Sequence, residues 1–250
     1  MNLGEQNEIL LKAFIVKCFC EKSKLTGAPE SLSFIESNRF GPNEKVLSWA
    51  KGYEEFLDKR DWESLGKMFG KAKSGYKADI EINGIKYSVK YKNAGKSALL
   101  NHTHRRGIIK VCNRIGLNIL DFDKIVNDYW NLRESGIIGE DVSNSNSNSP
   151  FNKNKELIKK LLEYFLFKGT AQGDSAFPAD KLLEFSDPFD PSTFKVLDPG
   201  DAVDEIWSSL VFSLRSKAMP KNYNKKDHED LTPWTRFSSG AYRGSLHIRS

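Results

Sequence analysis

The stretch Lys77-Ala-Asp-Ile-Glu-Ile-Asn-Gly-Ile-Lys-Tyr-Ser-Val-Lys-Tyr-Lys92 decides how this chain is organised. Two runs of alternating apolar and polar residues flank Asn83-Gly84, and an Asn-Gly pair between such runs signals a two-residue hairpin turn. With a type I′ turn there, Ile82 pairs with Ile85, Glu81 with Lys86, Ile80 with Tyr87 and Asp79 with Ser88. Side chains alternate along a strand, so Ile80, Ile82, Ile85, Tyr87 and Val89 are expected on one face and Asp79, Glu81, Lys86, Ser88 and Lys90 on the other. The apolar face suits a core. The polar face gathers carboxylates, a hydroxyl and ammonium groups, although a half-solvated antiparallel pair shows the same alternation.

Directly opposed Cβ atoms lie roughly 5 Å apart, which would let Asp79 and Ser88 reach one small cation with Glu81 and Lys90 at its edges. A hard ion such as Mg²⁺ needs only one or two carboxylates and a backbone carbonyl, here that of Val89, and keeps several waters. A lysine beside it could position or deprotonate an attacking water and stabilise charge on a phosphate. The pattern points to metal-assisted phosphodiester hydrolysis.

Asp79 followed by Ser88-Val89-Lys90 resembles the PD-(D/E)xK nucleases, in which an Asp on one strand and a (D/E)-x-Lys triplet on the next form the metal site. Ala78 stands where that pattern has Pro, and Ser88 where it has Asp or Glu, so the site has one carboxylate fewer and Glu81 is the nearest replacement. Gly4-Glu5-Gln6-Asn7-Glu8 runs into an apolar helix, and many restriction endonucleases begin with a helix whose glutamate points at the metal. Glu8 is the candidate for that role, with Glu5 one turn behind it; a first-turn glutamate favoured by the helix dipole is the alternative. The resemblance implies an α/β fold with a mixed central sheet and flanking helices, restriction-endonuclease-like. It also implies a prokaryotic, cytoplasmic, Mg²⁺-dependent type II site-specific deoxyribonuclease of a restriction-modification system, cutting double-stranded DNA, often as a homodimer on a palindrome. Asp79, Lys90, Ser88 and Glu8 would be catalytic, with Asp79, the Val89 carbonyl and Glu81 as metal ligands. A structure-selective repair or recombination nuclease of the same superfamily and a non-catalytic DNA-binding protein are the alternative readings.

The chain has 250 residues, 39% hydrophobic and 12% aromatic, enough for a substantial core in one domain or two. Its net charge of +5 is consistent with a polyanionic partner. Cys18, Cys20 and Cys112 form neither an even disulfide set nor a CxxC pair, which favours a reducing compartment. No secretory signal and no apolar run of transmembrane length are visible.

Helices are expected at Leu3–Phe19, at Glu44–Leu57 after Gly41-Pro42, around Trp62–Phe69, at Ser97–Ile115, at Phe122–Arg133, at Lys155–Phe167 and from Asp201 through Leu214. Residues 1–142 are expected to form a catalytic core and 153–250 a C-terminal part for DNA recognition and packing. Between them, residues 143–152, rich in Ser and Asn, are expected to be a flexible loop or linker. The proline-rich Phe177–Gly200 is expected to be irregular, and Gly244–Arg249 a strand.

Positive charge follows the hairpin: Lys92, Lys96, then Asn101, His102, His104, Arg105, Arg106, Lys110 and Arg114, the composition of a phosphate-binding segment whose Arg and Asn could also reach base edges. A solvated basic helix face is the plain alternative. Arg236 and Arg243 belong to a second, more dispersed basic and aromatic cluster. His102 and His104, two residues apart, lack zinc-ligand spacing, and Gly169–Ser175 lacks the Gly-Lys-Ser/Thr ending of a P-loop, so it is expected to be a turn.

Overall fold

The computed structural model describes residues 2–38, 55, 58–59, 61–69, 75–94 and 98–250. The helix expected at Glu44–Leu57 lies outside these residues except at Glu55, and Gly41-Pro42 and Lys96 lie outside them altogether. The chain divides into two compact units, residues 1–95 with 175–199, and residues 96–174 with 200–250. Both mix helices with open sheets. Among the described residues, no helix is long and apolar enough to cross a membrane.

The first unit is built on the hairpin. Asn83 and Gly84 have φ of 51° and 78°, the left-handed pair that a type I′ turn requires, and the strands β1 (Ile80–Ile82) and β2 (Ile85–Tyr91) pair as Ile80 with Tyr87, Glu81 with Lys86 and Ile82 with Ile85. Asn83 also pins a distant segment. Its Oδ1 accepts the N–H groups of Glu36 and Ser37 at 2.8 and 3.2 Å, and its Nδ2 donates to the Phe34 carbonyl at 2.8 Å. β2 lies inside a four-stranded sheet, antiparallel to β1 and parallel to β7 (Lys181–Phe185), which pairs antiparallel with β8 (Lys195–Leu197). Helix α1 (Leu3–Glu21) lays Leu11, Ile15 and Cys18 against the apolar face formed by Ile80, Ile82, Tyr87, Val89, Leu183 and Phe185. Its other side meets α2 (Trp62–Phe69) through Ile9, Ala13, Val16, Leu65 and Phe69.

The segment expected to be irregular, Phe177–Gly200, thus supplies half of this sheet. Its prolines punctuate two strands: Pro191 sits in the turn capped by Asp190 between β7 and β8. Both strands are short, and β7 finds its partner some ninety residues upstream, so local pattern does not reveal it.

In the second unit, β3 (Ala98–His104), β12 (Ser245–Arg249), β9 (Val211–Arg215) and β4 (Val142–Ser143) form an antiparallel sheet in that spatial order. Against it pack α3 (Arg105–Ile115), α4 (Ile119–Glu134), α5 (Pro150–Lys153) and α6 (Lys155–Glu163), sharing a core that includes Trp130, Tyr129, Phe151, Phe212 and Trp234. Two helix expectations are corrected here. Residues 98–104 are a strand, held by pairing with β12 at the far end of the chain, and the helix begins only at Arg105. The helix opened before Asp201, α7 (Pro199–Ile206), ends at Ile206; the apolar run after it is the buried strand β9, which periodicity alone does not separate from a helix. The Ser/Asn tract does not separate the units. It lies within the second, with Asn144 and Ser149 buried, Asn144 Nδ2 donating to the Trp207 carbonyl at 3.1 Å and Ser149 capping α5. Gly169–Asp174 is a tight turn joining the two-residue strands β5 (Gly169–Thr170) and β6 (Gly173–Asp174), as expected.

Candidate functional site

Asp79 stands where β1 leaves the ladder. Its N–H donates to the carbonyl of Tyr87 at 2.8 Å, the residue that Ile80 already faces. The ladder ends here, and Asp79 lies just before its first paired residue. The Asp79 carboxylate then takes a ladder bond itself, its Oδ2 accepting the Val89 N–H at 2.8 Å. A strand residue turns its N–H and C=O to the same edge, so the Val89 carbonyl faces that edge too.

Helix α1 delivers the second carboxylate. Asn2 and Glu5 form a capping box, Asn2 Oδ1 accepting the Glu5 N–H at 2.9 Å and Glu5 Oε2 the Asn2 N–H at 3.2 Å, which engages Glu5 at the helix start. Gly4 permits a close approach of that start to the end of β2, since a Cβ there would lie 3.3 Å from the Ala94 Cβ. Glu8, one turn along, consequently comes within electrostatic reach of Asp79 and Lys90. Burial raises the Glu8 carboxyl above its ordinary value; Lys90 opposes the shift and Asp79 reinforces it. Lys12, a further turn along and only 3% exposed, is depressed by burial, with Asp79 and Glu8 pulling it back up. Lys77 is depressed by burial and then by Lys90. A carboxyl biased toward holding its proton beside lysines biased toward releasing theirs is an arrangement that can transfer protons, and such groups concentrate at functional sites.

Glu8 thus lies within electrostatic reach of Asp79 and Lys90, and Asp79 is outside the paired register rather than across from Ser88. The paired register stops at Ile80 and Tyr87, and Asp79 is bonded to Tyr87 and Val89 instead. Ser88 is buried in the sheet, and Glu81 faces Lys86. Lys92 lies 3.8 Å from Glu184 of β7. Glu184 also stands beside Lys90 in the parallel register, on the same face as Ser88. Lys12, Lys77 and Glu184 were not anticipated. Only Lys12 carried a signal, its i+4 spacing from Glu8.

No protein-family model, curated protein or solved structure matches the chain. The site's own chemistry is therefore the guide. Among the described residues, no three His, Cys, Asp or Glu side chains are gathered closely enough to hold a metal ion by themselves. A cation would rely on Asp79, Glu8 and the Val89 carbonyl, completed by water.

The basic residues expected to bind DNA fall into two groups. Arg105 makes a two-pronged ion pair with Asp123, both bonds 2.7 Å, and donates to the Asp230 carbonyl; Arg106 pairs with Asp230 at 2.5 and 2.9 Å; Arg243 bonds Glu140 at 2.6 Å. These guanidiniums hold the second unit together. His102 stacks on His247 at 4.6 Å, and His104 ends β3 at the start of α3. Arg114 donates to the Gln172 carbonyl at 3.2 Å and Arg236 to the Thr235 carbonyl at 3.0 Å, both keeping charge without an ion pair among the described residues. Asn101 and Lys110 are exposed.

Proposed function

We propose that this protein is a Mg²⁺-dependent, site-specific endonuclease of double-stranded DNA, of the type II restriction kind in the PD-(D/E)xK superfamily. The observation that carries the reading is the approach of Glu8 to Asp79 and Lys90 at the open end of the hairpin. The donor set fits a hard, hydrated ion: Asp79 has one carboxylate oxygen engaged by Val89 and one left over, and Glu8 adds a second carboxylate. Magnesium, when bound, supplies a Lewis acid at the phosphate and a more acidic water. Lys90, exposed at the strand end, orients the attacking water and stabilises charge on the phosphate oxygens. Glu8 would act beside Asp79 in its ionised form, which a bound cation favours over the protonated form that burial alone favours. The restriction-endonuclease-like topology, prokaryotic cytoplasmic setting and homodimer on a palindrome belong to the same proposal.

A non-catalytic DNA-binding protein is the second reading, favoured by the excess of lysines over carboxylates at the site and by the neutral Ser88. Incubation with plasmid of known sequence and Mg²⁺ separates the two. Discrete fragments with mapped ends are expected, and Asp79→Asn or Lys90→Ala should each slow cleavage by about a hundredfold or more while circular dichroism stays unchanged. Retarded but intact plasmid supports the binding reading, and undiminished cleavage by both variants removes the site.

A further inference from the structure

The second unit carries a feature that the hydrolytic reading does not use. Strands β10 (Arg236–Ser238) and β11 (Ala241–Arg243) form a separate two-stranded ribbon turned at Ser239-Gly240, both with positive φ. Its cross-strand pair, Phe237 and Tyr242, is 66% and 42% exposed. Large aromatics in the open are unusual on a folded surface and mark contact sites.

Tyr242 is held rather than loose. Phe237 meets it edge-on with centroids 5.1 Å apart, and Tyr223 supports it at 4.8 Å. Tyr223 is itself fixed by a 2.7 Å hydrogen bond to the Thr232 hydroxyl and by stacking on His228. Beside the ring opens a cleft of about 630 Å³, whose lining includes Tyr223, Lys225, Thr232, Arg236 and Tyr242. That volume lies within the range of small-molecule sites. Lys225 and Arg236 have no ion pair among the described residues, unlike Arg105, Arg106 and Arg243. A rigid aromatic platform next to two cations without an acidic partner among the described residues matches a flat ring with an attached anion.

We propose that this cleft binds an unpaired nucleotide, its base stacked on Tyr242 and its phosphate held by Lys225 and Arg236. Base–aromatic stacking tolerates any base and contributes through surface contact, while the cations follow the backbone. The site requires no hydrolysis, so it stands or falls separately from the reading of Asp79 and Glu8.

The test is fluorescence anisotropy of a labelled short oligothymidylate with the full chain in EDTA, which prevents cleavage. Saturable binding is expected, stronger than to a blunt duplex of the same length. Tyr242→Ala should weaken it about tenfold, Tyr242→Phe should leave it near wild type, and Arg236→Gln or Lys225→Gln should each lower the salt dependence by somewhat less than one ion. Competition by thymidine monophosphate identifies a free-nucleotide site, and failure to compete alongside oligonucleotide binding identifies one that needs the strand; both support the proposal. Unchanged affinity in Tyr242→Ala and Arg236→Gln overturns it. So does equal weakening of duplex binding, or a concentration-dependent dimer lost in Tyr242→Ala with oligonucleotide binding intact, which would assign the aromatic face to a second copy of the chain.

Discussion

Glu8 feels burial and Asp79 pushing its carboxyl one way and Lys90 the other, with burial the largest. A raised folded-state value means that its favourable contribution to stability is complete below the unfolded pKa, near 4.3, and is lost as pH rises through the folded value. Glu8→Gln should therefore stabilise the protein at pH 7, by about 1 kcal/mol on the scale usual for relieving a functional site, and the gain should vanish below about pH 4. Urea unfolding at both pH values checks this, with cleavage falling in the same variant. Removing the carboxylate of Asp123 should have the opposite effect on stability. That carboxylate accepts both prongs of Arg105 and the Trp234 indole N–H at 2.7 Å, with the Arg105 side chain 12% exposed, so Asp123→Ala leaves a mostly buried cation unpaired and should cost about 3 kcal/mol. Lys110→Ala should change stability by less than about 0.5 kcal/mol. Both Glu8 and Arg105 stood out as charges in a suggestive sequence position; only burial and partners distinguish a poised group from a structural one, and neither is written locally.

The hairpin is the element whose sequence and structure agree most closely. Asn83-Gly84 and the alternating flanks specify three cross-strand pairs without help from the rest of the chain, because turn and register are local. The end of the ladder before Asp79 is not legible, since the sequence shows unbroken alternation through it. Strands β3, β7 and β9 are not legible for a related reason: each pairs with a segment distant in sequence, so tertiary partners override weak local preference. Asn83 has a second duty as an anchor for residues 34–37, which separates its two contributions experimentally. Asn83→Gly retains the positive φ and removes four side-chain hydrogen bonds, one of them a long 3.5 Å contact to the Ser31 carbonyl, and it should cost about 2 kcal/mol by urea unfolding. A loss below about 0.5 kcal/mol would mean that the turn alone holds that segment.

For the whole molecule, net charge is a poor guide to what binds where. The chain is +5, yet several arginines of the second unit are engaged by Asp123, Asp230, Glu140 and Asp141. Duplex affinity should accordingly depend less steeply on salt than the count of basic residues suggests. Removing Arg114 should lower the slope of log affinity against log salt by roughly one, whereas Arg106→Gln, which gives up a charge already paired with Asp230, should lower it by much less. The division of the first unit between two stretches of chain has a consequence in time. β2 is complete at Tyr91, but its parallel neighbour begins at Lys181. At a synthesis rate of about 5–20 residues per second, the Asp79–Lys90 hairpin waits roughly 5–20 s with one edge open before β7 emerges. A nascent chain halted before Lys181 should thus expose a strand edge prone to wrong pairing, with the residues of the candidate site already made but the sheet that carries them incomplete.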